Sequence, residues 1–392
     1  MGMGNRVLAV VVGLDLVILA LVSLHWLSLQ VTWFARHRGG ALATLPSPGQ
    51  AWPPICVLVP AFNEEQGIEA TLRALLSADY GELEVTVIND GSQDRTAQIV
   101  AGLAGADRRV SLLTLPQNQG KALALNAGVA AATAEYLVVI DADTVPEPDF
   151  LRYMVAPLAS GQADAVAGRI KAGHPQSSGL IRVLQSIEYV SVQHMSRLIQ
   201  ACTGSLTMVP GAAGAFRKAA LRAAGGYSSQ ARAEDADLSF RLVEGGFRIV
   251  CQPRAAVRTD VPTTWRALLR QRLRWIHGNL QCIFRGKESQ RAADHQSRYA
   301  SLAYVYENLW RPPLEFARAS IPVWVLAGVL PVGWMAGWTG LLALNWLVMI
   351  LSYEAEGEDR RELLYIPVQY AIWPVFLIIP YCLGLWRRVT RA

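Results

Sequence analysis

The sequence predicts an α/β domain on a parallel sheet, set between transmembrane helices and bordered by amphipathic interface helices. Three observations carry this. Short apolar β-branched runs alternate with helical patterns from Pro53 to Val257. Long, nearly uncharged segments lie on either side of that stretch. The whole chain is too apolar for a soluble protein of its size, with 52% hydrophobic and 17% charged residues among 392. That length suffices for one catalytic domain plus membrane segments. A net charge of +5 without a dense basic run suits lipid head groups or a diphosphate, and speaks against nucleic acid as a partner. Five scattered cysteines, Cys56, Cys202, Cys251, Cys282 and Cys382, lack zinc spacing and read as buried thiols in a reducing compartment.

Taken in order, residues 1–38 supply a first span, because Val7 to Phe34 is apolar apart from Asp15 and His25 and is long enough to cross ~30 Å of hydrocarbon. A cleaved signal peptide fits less well, since its apolar region would be too long and Arg36, His37 and Arg38 precede any cleavage site. Asp15 is costly in lipid and should face protein or a polar passage. Residues 53–257 follow with strands at Ile55–Val59, Val85–Ile88 and Tyr136–Ile140 and helices at Glu65–Leu76 and Asp94–Ala101. Residues 258–316 read as amphipathic interface helices, and residues 317–392 as C-terminal spans. Ala319 to Tyr353 is too long for one crossing and carries Pro331, Gly333 and Gly337, so a helical hairpin is expected, with Leu363 to Trp386 as a third span. Arg36 and Arg38 place the central domain in the cytoplasm, whereas Arg387, Arg388 and Arg391 also favour that side. Moving the acidic loop Glu354 to Glu362 outside would reconcile the two.

Ligands of open α/β sheets bind beyond the carboxyl ends of the strands. Three predicted strands end in acid there: Glu64 and Glu65 after the first, Asp90 after the second, Asp141 and Asp143 after the third. A lone strand-end aspartate is often an N-cap or an Asx-turn, and Asp90-Gly91-Ser92 has that form. Asp141 and Asp143 are alternate residues whose carboxylates can meet at one point, a donor set suited to Mg²⁺ or Mn²⁺ bridging a diphosphate. Farther on, Asp235 opens a helix as a candidate general base, while Asp237 reads as a first-turn acid favoured by the dipole. Gln271-Arg272-Leu273-Arg274-Trp275 offers a guanidinium for phosphate and an indole face for a sugar ring, or equally a basic helix on a membrane surface.

Together Asp90, Asp141 with Asp143, Asp235, and Gln271, Arg274 and Trp275 resemble the D, DxD, D, QxxRW signature of processive family 2 glycosyltransferases, over about Pro53 to Gln281. Gly211 to Arg217, Gly225-Gly226-Tyr227 and Glu234-Asp235 look closest to the bacterial poly-β-1,6-N-acetylglucosamine synthase branch. Asn89 before Asp90 and Ala233 before Glu234 depart from the common pattern and leave the branch open. The resemblance implies a GT-A (Rossmann-like) fold, a UDP-sugar donor with Mg²⁺ or Mn²⁺, and inversion without a covalent intermediate. It places Pro60, Phe62, Glu64, Asp90, Lys121, Asp141 and Arg274 around the donor nucleotide and Asp143 with Asp141 at the metal. Asp235 is then the base, with Gly211, Glu234, Gln271 and Trp275 at the acceptor.

The expected function is GlcNAc transfer to a growing β-linked polysaccharide by a multi-pass protein of the cell inner (plasma) membrane, coupled to export. The catalytic domain is cytoplasmic, and membrane lipid and a small membrane subunit are partners. Two other readings remain: transfer of one sugar to a ceramide or polyprenyl acceptor, and a non-catalytic nucleotide-binding subunit, which the full acidic set disfavours. Trp324, Trp334, Trp338 and Trp346 line a sugar path in one reading and form an interfacial aromatic belt in the other.

Overall fold

A computed structural model describes residues 17, 52–173, 179–202, 208–285 and 304–389 of the chain. The expected first span, with Asp15, lies outside the described residues apart from Val17.

The centre is an eight-stranded sheet. β1 (Ile55–Ala61) is buried almost throughout, as a central strand covered on both faces must be. Ile55, Val57 and Val59 point into one core, and Cys56 and Leu58 into the other. The first core is closed by α1 (Ile68–Ser77), whose Ile68, Leu72 and Leu75 recur at helical spacing on the sheet side. The opposite core is closed by α3 (Lys121–Ala131), which follows β2 (Leu83–Asn89), α2 (Thr96–Ala106) and β3 (Val110–Thr114).

Next come β4 (Tyr136–Val139), β5 (Thr144–Pro146), α4 (Phe150–Ala159) and β6 (Ala165–Ala172). A continuous rod follows, from α5 (Leu180–Glu188) through a π-helical segment at Tyr189–His194 into α6 (Met195–Cys202). β7 (Gly214–Arg217), α7 (Lys218–Ala223), α8 (Glu234–Glu244) and β8 (Ile249–Thr259) complete the domain.

Strand order is β3-β2-β1-β4-β7-β6-β8-β5. The first four strands are parallel. The expected all-parallel sheet is corrected beyond them, since β7 runs antiparallel to β4 and β6, and β5 antiparallel to β8. An apolar run reports that a strand is buried; its direction is set by the connections on either side. The parallel half brings the carboxyl ends of β1, β2 and β4 to one edge.

α9 (Trp265–Arg285) leads out of the domain. A π-helical segment at Tyr306–Trp310 opens α10 (Arg311–Leu326), followed by α11 (Gly333–Glu356), a 3₁₀ turn at Arg360–Tyr365 and α12 (Ile366–Val389). The expected hairpin break falls at residues 327–332, where Gly328 takes φ +71°. Of the three expected C-terminal spans, two helical stretches, Gly333–Glu354 and Arg360–Trp386, are long and apolar enough to cross a membrane. α10 has 16 residues and carries Arg311, Glu315 and Arg318 in its first half.

The acidic loop is tied to the α/β domain. Arg169 of β6 pairs with Glu356 (2.5 Å) and Glu358, Lys171 with Glu358 (3.7 Å), Arg182 of α5 with Glu362 (2.8 Å), and His194 lies 3.1 Å from Glu356. The alternative that carries this loop to the far side of a membrane is therefore corrected: it sits on the domain's side. Among the cysteines, Cys56, Cys251 and Cys282 are buried thiols, whereas Cys382 is exposed on α12.

Candidate active site

The edge at which β1, β2 and β4 end is shaped by backbone that only certain residues adopt. Asn63, after β1, is the one described non-glycine residue with positive φ (58°), a region asparagine tolerates. Its N–H donates to Ser92 Oγ (3.0 Å) and its Oδ1 accepts from the Gln93 N–H (2.9 Å), locking the β1 and β2 loops together. Asp90 is buried, and its two oxygens accept the Gln119 and Gly120 N–H groups, each at 2.8 Å. The Asx-turn reading of Asp90 is corrected: the local turn bond is made by Asn89, whose Oδ1 accepts the Ser92 N–H at 3.0 Å, while Asp90 at the strand end holds the loop that launches α3.

Lys121, the first residue of α3, reaches 2.5 Å from Asp141 Oδ1 and 3.6 Å from Glu234 Oε1. Burial works against its charge, but Asp141 and Glu234 outweigh burial and hold its pKa above the ordinary lysine value. Asp143 receives hydrogen bonds from Thr144 Oγ1 (3.2 Å) and Thr259 Oγ1 (3.4 Å). Burial, then Asp141, raises its carboxyl. Glu64 is pushed up to about 7 by burial and by the charges of Asp143, Asp141, Asp94 and Asp260. Gly67 packs on the Asp143 backbone, where an added Cβ would lie 3.0 Å from Cα, so the β1 loop abuts the aspartate pair.

Asp235 stands in the first turn of α8, its Oδ1 accepting from the Ala236 N–H (2.8 Å) and its Oδ2 from the Gly211 N–H (3.2 Å). The same stretch is fixed at Val209, whose N–H donates to Ser239 Oγ (2.8 Å). Burial raises the Glu234 carboxyl, Lys121 offsets part of this, and Asp235 adds to it. Asp237 pairs with Arg241 at 2.8 Å, as a first-turn acid would.

A cavity of about 550 Å³ gathers these groups. Lys121, Asp141, Asp143, Gly211, Glu234 and Asp235 line its domain end, Gln271, Arg274 and Trp275 of α9 its side, and it continues among α10, α11 and α12. Pro60, Phe62, Glu64 and Asp90 lie outside this lining, on the β1–β2 side of the aspartate pair. Trp324, Trp334, Trp338 and Trp346 do not line the cavity either, which corrects the sugar-path reading of those four; its indoles are Trp275 and Trp373.

Four charged groups at the cavity were not singled out from the sequence, although Arg272 lies within the Gln271-to-Trp275 segment read there as a phosphate or membrane contact. Asp260, directly after β8, faces the Asp143 side and was findable as one more acid at a strand end. Glu188, Arg197 and Arg272 are charged, buried and at the cavity, and periodicity carries no signal for partners that meet only on folding.

The sequence model of glycosyl transferase family 2 matches residues 56–225. The poly-beta-1,6-N-acetyl-D-glucosamine synthase of Staphylococcus epidermidis is 30% identical over 295 residues, 73% of this chain and 71% of that protein. The protein of the same name from Staphylococcus aureus strain COL is 31% identical over 234 residues, 59% of this chain and 56% of that one, little more than half its length. Among solved structures, the mannosyltransferase PcManGT from Pyrobaculum calidifontis, in complex with GDP-Man and Mn²⁺, superposes with a TM-score of 0.65 at 22% identity. It covers 96% of this chain and 99% of that one, a likeness of fold.

Proposed function

The chain belongs to glycosyltransferase family 2, and from that premise we propose that it moves a sugar, GlcNAc by its relatives, from a UDP-sugar to the end of a polysaccharide. The single observation that carries this is the convergence of Lys121, Asp141, Asp143, Glu234 and Asp235 at the domain end of a cavity that continues among the apolar C-terminal helices.

In this reading the acceptor sugar stacks on Trp275, beside Gln271, with Gly211 and Glu234 at its reacting end. Asp235 takes the proton from the acceptor hydroxyl as it attacks the anomeric carbon from the face opposite the diphosphate, inverting that centre. The two N–H groups donating to its carboxylate hold the oxygens in place. Lys121 and Arg274 counter the charge that develops on the departing diphosphate. Pro60, Phe62, Glu64 and Asp90 hold the nucleoside end.

A divalent ion fits the oxygen-only pair Asp141 and Asp143, where, beyond burial, Asp94 and Asp260 add negative charge that Lys121, paired with Asp141, offsets only in part, so that Asp143 and Glu64 are raised. Asp141 and Asp143 would hold such an ion; among the described residues no group of three or more His, Cys, Asp or Glu is arranged to hold one. When bound, Mg²⁺ or Mn²⁺ supplies Lewis-acid stabilisation of the leaving group. α10, α11 and α12 cross the inner membrane in turn, with the acidic loop between the last two and the catalytic domain both on the cytoplasmic side, and the polymer passed outward.

The cavity's apolar wall of Val348, Met349 and Leu377 favours a second reading, transfer of one sugar to a lipid acceptor. The test incubates the lipid-reconstituted protein and Mg²⁺ or Mn²⁺ with UDP-GlcNAc, UDP-glucose or UDP-glucuronate, following UDP release and product mass. High-mass product from one donor supports polymer synthesis. Product that appears only with an added lipid acceptor, one sugar at a time, establishes the second reading instead.

A further inference from the structure

We propose that the buried Glu188–Arg272 ion pair is a positioning device for the acceptor surface, setting the plane of the Trp275 indole and the rotamer of Gln271. The proposal rests on the reading of Trp275 as that surface. Glu188 ends α5, where the rod enters its π-helical segment, and Arg272 lies on α9, so the pair joins two elements that are 84 residues apart in sequence. Both side chains are nearly inaccessible, 9% and 3% exposed, and Arg272 Nη2 donates to Glu188 Oε2.

A guanidinium held this way has fixed planes and fixed donors. One of its faces serves Trp275: the guanidinium carbon sits 4.2 Å from the ring centroid, within cation–π range. Another donor, Nη1, goes to Gln271 Oε1 at 3.1 Å. Trp373 of α12 lies on the same cation at 5.9 Å. Gln271, Trp275 and Trp373 all line the cavity, as do Glu188 and Arg272 themselves. One buried cation thus orients three cavity side chains, and Glu188 orients the cation. A buried ion pair adds little to stability over apolar residues of similar volume, so its use lies in the geometry it imposes.

Two variants separate positioning from structural support. Arg272→Lys keeps a charge for Glu188 but loses the plane that stacks on Trp275. The double variant Glu188→Leu with Arg272→Met removes both charges and keeps the packing volume. The measurement is steady-state kinetics of each reconstituted variant with its best UDP-sugar and a short oligosaccharide of the same sugar, alongside thermal melts. The expected result is a melting temperature close to wild type, a KM for the oligosaccharide raised about tenfold, and a KM for the UDP-sugar that moves less than about twofold. An unchanged oligosaccharide KM in either folded variant overturns the proposal, as does a parallel rise of both KM values. A wild-type protein that releases no UDP from any donor overturns the functional reading first, and this proposal with it.

Discussion

Asp235 is held by two backbone N–H groups in the cavity wall, with Glu234 and Lys121 beside it. Asp235→Asn keeps the shape and those contacts on one oxygen but removes the proton acceptor. UDP release with acceptor should fall by about 10²–10⁴-fold while the melting temperature stays near wild type. Glu64 gives a pH signature. Its carboxyl is raised from 4.5 to about 7, so the folded protein binds that proton more tightly than the unfolded chain does. The stability this contributes is complete below pH 4.5 and lost as pH rises through 7. Thermal melts in chelator should therefore fall more steeply between pH 4.5 and 7 for wild type than for Glu64→Gln. Mg²⁺ should flatten the wild-type slope by neutralising Asp141 and Asp143. At this scale the acids at strand ends were legible one by one, because residue type and strand-end position are both local. The Glu188–Arg272 pair was not, since Arg272 reads on its own as one more basic residue of an amphipathic helix.

The turn after β2 and the loop after α11 show how elements are held. Gly91 takes φ +70°, and a Cβ there would lie 2.7 Å from the Asn118 nitrogen. Gly91→Ala should cost about 1–3 kcal/mol in chemical denaturation and loosen the Asp90 contacts to Gln119 and Gly120. At the α11–α12 connection, Glu356→Ala leaves Arg169 buried with Glu358 as its remaining acid partner. Because Glu358 still compensates that charge, a loss of roughly 1–3 kcal/mol is expected, together with earlier proteolysis between residues 354 and 362. The helices were readable from a period of 3.6, the central strands from their short apolar β-branched runs, and the hairpin break from Pro331 and its glycines. The direction of β7 and the attachment of the acidic loop were not, because both depend on partners far along the chain.

Across the whole molecule, a mixed α/β sheet presents a carboxylate-rich edge to a cavity that leads among apolar helices. If α11 and α12 cross a bilayer, the chain should stay with membranes through an alkaline carbonate wash and come off only with detergent. Release by carbonate would place these helices on the membrane surface. The sequence by itself determined the class of fold, the order of the acidic motifs and the apolar character of the C-terminal segment from residue 317 on, because these follow from residue type, spacing and short-range period. Only the tertiary structure decided which strands reverse, which tryptophans meet the cavity, and that Arg169, Lys171, Arg182 and His194 hold the acidic loop to the domain. Each of those outcomes is a pairing between distant segments, and such a pairing acquires an energy only when folding brings its two halves within a few ångströms and takes them out of water.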